Sequence, residues 1–309
     1  MTGRVLALSG GVGGAKLCAG LAAVLPPEEL VIAVNTGDDF EHLGLVICPD
    51  LDSVVYALAD LADPVRGWGR RDETWTFMAA LRGLGGPDWF ALGDADLAMH
   101  VERTRQLCAG AGLGAVTAAI CRQLGIGATV LPMSDDPVPT RVQTAEGWLD
   151  FQDYFVRRRC EPAIRALRFE AVERARPHPG LLAALRDPAL RAIVICPSNP
   201  FVSVDPILAL PGVRAAIAAA SAPVIAVTPI VRGAAVKGPA AKMLRELGRA
   251  VSCQSVAEHY AGLADVFVYD AADEIAPTVP GVRMVAAQTL MHGAAERTAL
   301  ARAVLAAAR

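Results

Sequence analysis

Acidic residues follow short apolar runs at several points along the chain, with a spacing that suits metal ligands. Asp38 and Asp39 come after one such run, and Asp50 and Asp52 follow two positions apart, just before a helix-like segment. Mg²⁺ takes oxygen ligands and is usually held by one or two carboxylates together with substrate phosphates. We therefore expect these four carboxylates to converge on a Mg²⁺ site. A solvated turn and a helix N-cap are the alternative roles.

A glycine-rich segment near the start of the chain has the composition of a phosphate-binding loop. Four of the five positions from Gly10 to Gly14 are glycine, and Lys16 follows. Glycine lets backbone N–H groups approach a phosphate closely, and a following helix adds a favourable field. The pattern is neither a Walker A motif nor G-x-G-x-x-G, and a tight turn without function is the alternative. The candidate phosphate ligands are Ser9, Gly10, Gly11, Gly13, Gly14 and Lys16.

Further polar side chains stand after apolar runs or at the start of helix-like segments, where a substrate could reach them. They are Asn35, Asp94, Asp96, His100, Ser134, Asp135, Asp136, Ser198, Asn199 and Lys237. An i,i+4 pair is the alternative for Asp96 with His100, and an ordinary turn is the alternative for residues 134–136. No Ser-His-Asp spacing, H-E-x-x-H or G-x-S-x-G motif occurs, so covalent catalysis is not expected.

The elements that must position these residues alternate along the chain. Short β-branched or aliphatic runs separate helix-like segments rich in Ala, Leu and Arg, at residues 5–8, 30–34, 128–131, 192–195, 224–227 and 266–269. This alternation predicts an α/β fold, Rossmann-like, with a doubly wound, mainly parallel sheet and helices on both faces. Such sheets bind ligands at the carboxyl ends of their strands, where the candidates lie. Residues 133–176 are less regular, and we interpret them as an inserted subdomain or lid within one domain spanning residues 1–309.

Composition favours a small-molecule partner. The 309 residues are 53% hydrophobic, and the formal net charge of −3 offers no footprint for nucleic acid or an anionic membrane. The seven Cys residues form no C-x-x-C pair, which is typical of reduced thiols in a cytoplasmic protein. We find neither a signal peptide nor an apolar run able to cross a membrane. The chain contains three Lys residues, Lys16, Lys237 and Lys242, which all fall near proposed anion sites.

Eight segments in register resemble the 2-phospho-L-lactate transferase family of coenzyme F-420 biosynthesis, the CofD family. They are residues 8–17, 34–39, 48–54, 92–100, 131–138, 151–155, 197–200 and 236–240. Each motif alone is short, but together and in this order they cover nearly the whole chain. The resemblance implies a Rossmann-like transferase that requires Mg²⁺ and forms homodimers.

The activity that this resemblance implies is transfer of a phospholactyl-type group from a guanylyl diphosphate donor. The acceptor is the ribityl hydroxyl of the 5-deazaflavin 7,8-didemethyl-8-hydroxy-5-deazariboflavin, and GMP is released. Asp52 with Asp38 or Asp39 would then hold Mg²⁺, and Asp94 or Asp52 would position or deprotonate the hydroxyl. The glycine-rich loop would hold donor phosphate, while Ser198, Asn199 and Lys237 would serve the guanosine side or the second phosphate.

One position departs from the family pattern, because Ala95 stands where the pattern has Arg. Arg103 and Arg105 follow on the same predicted helix, and we hypothesise that they compensate for the missing guanidinium. Two other functions stay open. The chain could be a nucleotide-sugar-binding regulatory protein of the same superfamily, or a dehydrogenase. The donor's acyl group is also open, between 2-phospholactate, phosphoenolpyruvate and 3-phosphoglycerate.

Overall fold

The computed structural model describes residues 3–236 and 238–308. The strands are β1 (Arg4–Ser9), β2 (Leu30–Val34), β3 (Phe40–His42), β4 (Leu45–Ile47), β5 (Thr129–Pro132), β6 (Thr140–Thr144), β7 (Gly147–Asp150), β8 (Ala166–Phe169), β9 (Leu190–Ile195), β10 (Val224–Val227), β11 (Ile230–Val231), β12 (Ala234–Ala235), β13 (Val266–Asp270) and β14 (Arg283–Ala287). The helices are α1 (Gly11–Ala22), α2 (Pro49–Leu58), α3 (Thr76–Gly83), α4 (Asp94–Cys108), α5 (Leu113–Gln123), α6 (Pro179–Leu185), α7 (Asp205–Ala209), α8 (Val213–Ala219), α9 (Ala240–Glu246), α10 (Cys253–His259) and α11 (Ala294–Ala307).

Seven parallel strands form the central sheet, in the order β14-β13-β10-β9-β1-β2-β5. The chain builds outward from β1 through β2 to β5, and later returns to the other side of β1 with β9. The strand order therefore reverses between β1 and β9. At such a switch point the connections leave in opposite directions and open a crevice for a ligand.

The core lies on both faces of this sheet, which confirms the predicted doubly wound α/β fold. Side chains of β1 alternate between the faces. Val5 and Ala7 pack with α1, α2, α5 and α11, whereas Leu6 and Leu8 pack with α6 to α10. All four are fully buried. Because both faces are covered, the strands consist of nearly continuous apolar runs, which is why the sequence pattern reveals them.

The segment between β5 and β9 carries a second, smaller sheet. Strands β6, β7 and β8 pair antiparallel in the order β7-β6-β8. A π-helical turn, Asp153–Arg157, follows β7. Val142 and Tyr154 are buried against the main core, so this sheet is packed onto the α/β unit. This small sheet lies within residues 133–176, and the interpretation of that segment as an inserted subdomain or lid stays a prediction.

The state of the cysteines and the length of the apolar helices can be read from the structure. All seven Cys residues are free thiols. No single helix in the two described stretches is long and apolar enough to cross a membrane. The pair Pro200–Ala209 and Val213–Ala219, bent by 83°, meets the length and composition criteria only when its halves are taken together.

Candidate functional site

A cavity of about 820 Å³ lies at the carboxyl ends of β1 and β9, at the switch point of the sheet. Its wall includes the glycine-rich segment after β1, the start of α2, and the 197–199 turn after β9. Loop residues 66–69 and 89–91 and the inserted segment complete the wall. A cavity of this size can enclose a nucleotide or cofactor.

The glycine-rich segment places the start of α1 at this cavity. Gly11 has a φ of +64°, in the left-handed region that glycine adopts without strain. Its N–H donates to Asp50 Oδ1 at 2.5 Å, and the N–H of Gly10 donates to Ser198 Oγ at 3.2 Å. A helix N-terminus attracts anions, and here the Asp50 carboxylate occupies that position.

Four of the six predicted phosphate ligands line the cavity, namely Gly10, Gly11, Gly13 and Lys16. Lys16 also donates to the Met291 carbonyl at 2.8 Å. Ser9 and Gly14 are buried outside the lining. A Cβ on Gly14 would stand 2.5 Å from the Oγ atoms of Ser9 and Ser198. The sequence therefore contains glycine at position 14 for close packing rather than for contact with a ligand.

Asp38 and Asp50 face the cavity and share Asn35 as a hydrogen-bond donor. Asn35 Nδ2 lies 3.3 Å from Asp38 Oδ1 and 2.9 Å from Asp50 Oδ2. Its Oδ1 accepts from the Gly37 N–H at 2.8 Å. Asn35 is fully buried and absent from the cavity lining. The predicted substrate ligand therefore acts as a support that orients two acids.

Burial raises the pKa of the acids at this part of the site. Burial raises the pKa of Asp38 well above its ordinary value, and the charges of Asp50 and Asp39 raise it further. Burial likewise raises the pKa of Asp50, against the lowering effect of the Asn35 and Gly11 hydrogen bonds. The pKa of Asp39 is also raised by burial, but Asp39 is not part of the cavity lining. A cation between Asp38 and Asp50 would relieve the repulsion between their carboxylates.

The four predicted metal ligands do not form a complete ligand set. Within the described ranges no three His, Cys, Asp or Glu side chains are grouped to hold a metal ion. Mg²⁺ needs fewer protein ligands than this, because waters and substrate phosphates complete its shell. The pair Asp38 and Asp50 fits that requirement.

Asp52 belongs to a buried network along the cavity wall. Its carboxylate forms an ion pair with Arg103, whose Nη1 lies 3.2 Å from Asp52 Oδ2. His100 lies between them and Asp96, with Nδ1 3.2 Å from Arg103 Nη1 and Nε2 3.3 Å from Asp96 Oδ2. Tyr56 donates to Asp96. Asp52, Tyr56, Asp96 and His100 all line the cavity.

Charge in this network is balanced by its members. Burial alone would lower the pKa of Arg103, but the charge of Asp52 raises it above its ordinary value. Burial raises the pKa of Asp96, whereas the His100 and Tyr56 hydrogen bonds outweigh that effect and leave it lowered. Burial also raises the pKa of Tyr56, which therefore stays a donor.

The structure does not support the expectation that Arg103 and Arg105 replace the missing guanidinium at position 95. Arg103 is buried and occupied by Asp52, outside the cavity lining. Arg105 pairs with Glu102 at the surface, with Nε 2.8 Å from Oε2. The backbone N–H of Ala95 donates to Glu73 Oε2 at 2.9 Å. No guanidinium from these positions reaches the site.

Asp94 lies outside the cavity lining, and we correct its predicted catalytic role. Its carboxylate accepts from Thr76 N at 3.1 Å, Phe77 N at 3.0 Å and Thr74 Oγ1 at 2.6 Å. The first two donors are amides in the first turn of α3, which no earlier residue of that helix can satisfy. All these contacts join α3 to α4, so Asp94 caps a helix rather than contacting a substrate.

Residues 134–136 are also structural, in contrast to their predicted role in substrate binding. Ser134 Oγ donates to the Arg176 carbonyl at 2.7 Å. Asp135 accepts from the Gly114 N–H at 2.7 Å and caps α5. Asp136 accepts from the Arg176 N–H at 2.9 Å. None of the three lines the cavity, so the structure favours the alternative role of these residues as an ordinary turn.

The second predicted anion site is only partly described. Ser198 and Asn199 line the cavity, and Asn199 Oδ1 accepts from the Phe201 N–H at 3.0 Å. Lys237 lies outside the described residues. Lys242 points elsewhere, since its Nζ donates to Glu246 Oε1 at 2.5 Å and to the Pro162 carbonyl at 2.9 Å.

Several lining residues were not predicted, and most of them are aromatic. They are Tyr56, Arg66, Trp68, Trp89, Phe90, Phe151, Phe155 and Arg159. Phe90 packs edge-on against Phe40, with ring centroids 4.9 Å apart. Only 5% of the chain is aromatic, so two adjacent aromatic residues just before the 92–100 motif were the available indication.

These features define a Rossmann-like α/β protein with a cavity at the switch point of its sheet. Residues 5–302 match the family model described as 2-phospho-L-lactate transferase CofD, and the chain belongs to this family of transferases. It is 41% identical to a phosphoenolpyruvate transferase from Kitasatospora aureofaciens, with 99% of this chain and 98% of the relative covered. It is 40% identical to a 2-phospho-L-lactate transferase from Methanosarcina mazei, with 97% and 99% covered. The match favours the transferase over a regulatory protein or a dehydrogenase.

A solved structure shares the fold. A UPF0052 family protein from Bacillus halodurans superposes with a TM-score of 0.64 at 17% sequence identity, with 99% of each chain covered. At that identity the likeness concerns the fold alone. It agrees with the parallel sheet and its helices described above.

Proposed function

We propose that this chain transfers a phospholactyl-type group from a guanylyl diphosphate donor to the ribityl hydroxyl of 7,8-didemethyl-8-hydroxy-5-deazariboflavin, releasing GMP, in coenzyme F-420 biosynthesis. The group is 2-phospholactate, phosphoenolpyruvate or 3-phosphoglycerate. One observation carries the proposal: the N-terminus of α1 and the acids Asp38 and Asp50 face the same switch-point cavity. Relatives named for phosphoenolpyruvate and for 2-phospho-L-lactate support both donor types.

Attack of a hydroxyl on a diphosphate needs alignment and charge neutralisation more than a covalent intermediate. The amides of Gly10, Gly11 and Gly13 and the ammonium of Lys16 lie where a diphosphate would accept hydrogen bonds. Asp50 accepts from Gly11 N in the free protein, so an arriving phosphate competes with this carboxylate for the amide. Ser198 and Asn199 then serve the guanosine side of the donor.

We assign Mg²⁺ to Asp38 and Asp50. Burial raises the pKa of both carboxylates, and the charge of Asp50 raises that of Asp38 further, which fits a place for a cation. When bound, the ion neutralises the charge on the donor diphosphate. Gln152 Nε2 donates to the Asp38 carbonyl at 3.2 Å and holds this segment in place.

The network around Asp52 is proposed to position the acceptor hydroxyl. Asp52 keeps free lone pairs beyond those used by Arg103, because a carboxylate has about four acceptor sites. Asp96 and His100 contribute to the same wall and are proposed to contact the acceptor. Tyr56 donates to Asp96, Arg103 contacts His100, and His100 Nε2 lies 3.3 Å from Asp96 Oδ2, and these contacts fix their orientation.

The test is incubation of the protein with the deazaflavin, Mg²⁺ and each of the three guanylyl donors, followed by mass spectrometry. We expect a phosphodiester product and GMP with at least one donor, and no product after chelation of Mg²⁺. Asp38→Asn should abolish turnover and weaken Mg²⁺ binding, whereas Asp136→Asn, outside the cavity, should retain both. Absence of product with all three donors would refute the proposed activity.

We also propose that the protein is a cytoplasmic homodimer without nucleic-acid or membrane partners. Seven free thiols support a reducing compartment, and the net charge of −3 supports small-molecule partners. Light scattering after size-exclusion chromatography gives the oligomeric state directly. A monomer at micromolar concentration would contradict the dimer.

A further inference from the structure

Arg159 lines the cavity from the inserted segment and has no acidic partner in the described part of the chain. Its two neighbours are paired. Arg157 Nη1 lies 3.5 Å from Asp153 Oδ1, and Arg158 Nε lies 2.8 Å from Asp153 Oδ2. A guanidinium keeps its charge at any physiological pH. Arg159 therefore presents a permanent positive charge to the cavity.

The backbone holds Arg159 in an unusual conformation. Its φ is +51° and that of Cys160 is +57°, so two successive residues with side chains are left-handed. Such conformations cost free energy for L-residues and persist where the surrounding structure imposes them. The Cys160 N–H donates to the Tyr154 carbonyl at 2.9 Å and closes this turn. The turn follows the helical segment, and Arg159 within it lines the cavity.

The two other cations of the described wall, Lys16 and Arg66, each contact a group of the protein. Lys16 donates to the Met291 carbonyl at 2.8 Å. Arg66 lies 4.5 Å from the Trp75 ring centroid and 3.9 Å from Asp63 Oδ2. For Arg159, by contrast, the described residues supply no partner, so its donors can face a ligand.

The surroundings of Arg159 suit a small carboxylic acid. Phe151 and Phe155 of the same segment stack with centroids 5.4 Å apart and planes 7° apart, and both line the cavity. Gln152 joins this segment to the Asp38 carbonyl. The segment therefore contributes apolar surface, a cation and a link to the acid pair.

We propose that Arg159 binds the carboxylate of the transferred group, an inference that rests on the proposed function. All three candidate groups carry a carboxylate, and the planar guanidinium donates two parallel hydrogen bonds to such a group. The diphosphate already has the α1 amides and Lys16. Arg159 is in this assignment a specificity-determining residue that distinguishes the full donor from GDP, which lacks the acid.

The experiment compares Arg159→Gln, Arg159→Lys and the control Arg157→Gln, an exposed neighbour outside the cavity lining. Isothermal titration without acceptor gives dissociation constants for the carboxylate-bearing donor and for GDP. Loss of a charged hydrogen-bond pair typically costs about 10- to 100-fold in affinity. We expect Arg159→Gln to weaken donor binding by that factor and leave GDP binding unchanged. Arg159→Lys should recover part of the loss, and Arg157→Gln should match the wild type.

Equal weakening of donor and GDP would place Arg159 on the nucleotide and overturn the inference, as would no change for either ligand. A wild type that binds the donor no more tightly than GDP also overturns it. Turnover is measured separately with the deazaflavin. If donor discrimination depends on Arg159 but no product forms, the proposed function fails while the carboxylate site stands.

Discussion

At the scale of single residues, Asp52 directs its carboxylate at Arg103 in a buried part of the cavity wall. Both side chains are nearly inaccessible to water, with 7% and 3% of their side-chain surface exposed. Removing one partner of a buried ion pair leaves an unpaired charge in a poorly solvating environment. Loss of activity in a variant of Asp52 therefore contains a contribution from lost stability.

We predict that Asp52→Asn lowers the free energy of unfolding by about 3–5 kcal/mol, because Arg103 keeps its charge without a partner. Urea denaturation measures the change. The double variant Asp52→Asn, Arg103→Met should regain part of the loss, since it removes the stranded charge. Arg105→Gln, which removes an exposed pair with Glu102, should change stability little. A fully stable Asp52→Asn protein would contradict the buried pair.

Residue types at strand ends predicted much of the site but could not separate its acids by role. Asp38, which follows a predicted strand, and Asp50, which precedes a predicted helix, both line the cavity. Asp94 and Asp135 occupy similar positions in the sequence, yet they cap α3 and α5. A short carboxylate before a helix serves a metal or an orphan amide equally well. Only the neighbouring elements, which come from elsewhere in the chain, decide between the two.

At the scale of elements, α3 and α4 cap each other. Asp94 at the start of α4 accepts from the first-turn amides of α3. Glu73, just before α3, accepts from the N–H groups of Ala95 and Asp96 at 2.9 and 2.8 Å. Each carboxylate also faces the positive end of the other helix's dipole. This exchange fixes α4 and with it the cavity residues Asp96 and His100.

We predict that Asp94→Ala lowers the melting temperature by a few degrees while kcat stays within about twofold of wild type, because capping stabilises a helix without touching substrate. Differential scanning calorimetry and steady-state kinetics check the two parts. Asp88→Ala is the matched control, since Asp88 pairs only with exposed Arg82 on α3. A kcat lowered by orders of magnitude in a folded Asp94→Ala protein would return Asp94 to the catalytic machinery.

At the scale of the whole molecule, the sequence predicted the layers better than their edges. All six predicted strand runs are strands of the central sheet, because burial on both faces makes them continuously apolar. Strand β14 was missed. It begins with Arg283 at the edge of the sheet and is only half buried. Its apolar run, residues 284–287, contains a single β-branched residue, Val285, and therefore resembles the Ala-rich helical segments. The small sheet β6 to β8 was seen only as irregularity, since its short strands carry polar residues on their open face.

The helical layer on one face depends on a close contact between α1 and α11. A Cβ on Gly20 would fall on the carbonyl of Arg297 and 3.3 Å from its Cα, and backbone cannot move aside as a side chain can. We predict that Gly20→Ala destabilises the protein by about 1–3 kcal/mol through overpacking. Gly83→Ala, also in a helix but with no atom within 4 Å, should be neutral or stabilising. Chemical denaturation of both variants compares them. Equal stabilities would show that α1 and α11 can move apart at no cost in free energy, and would contradict the prediction.

The position of β1 between β2 and β9 also determines when, during synthesis, β1 can pair with both of its neighbours. The hydrogen bond between Gly10 and Ser198 joins residues 188 positions apart, so one side of the central strand has no partner until β9 is synthesised. At about 5–20 residues per second, a ribosome leaves that edge open for on the order of ten to forty seconds. During this interval the nascent chain exposes one unpaired edge of a strand that is apolar from Val5 to Leu8, and molecular chaperones have the time and the surface to bind it.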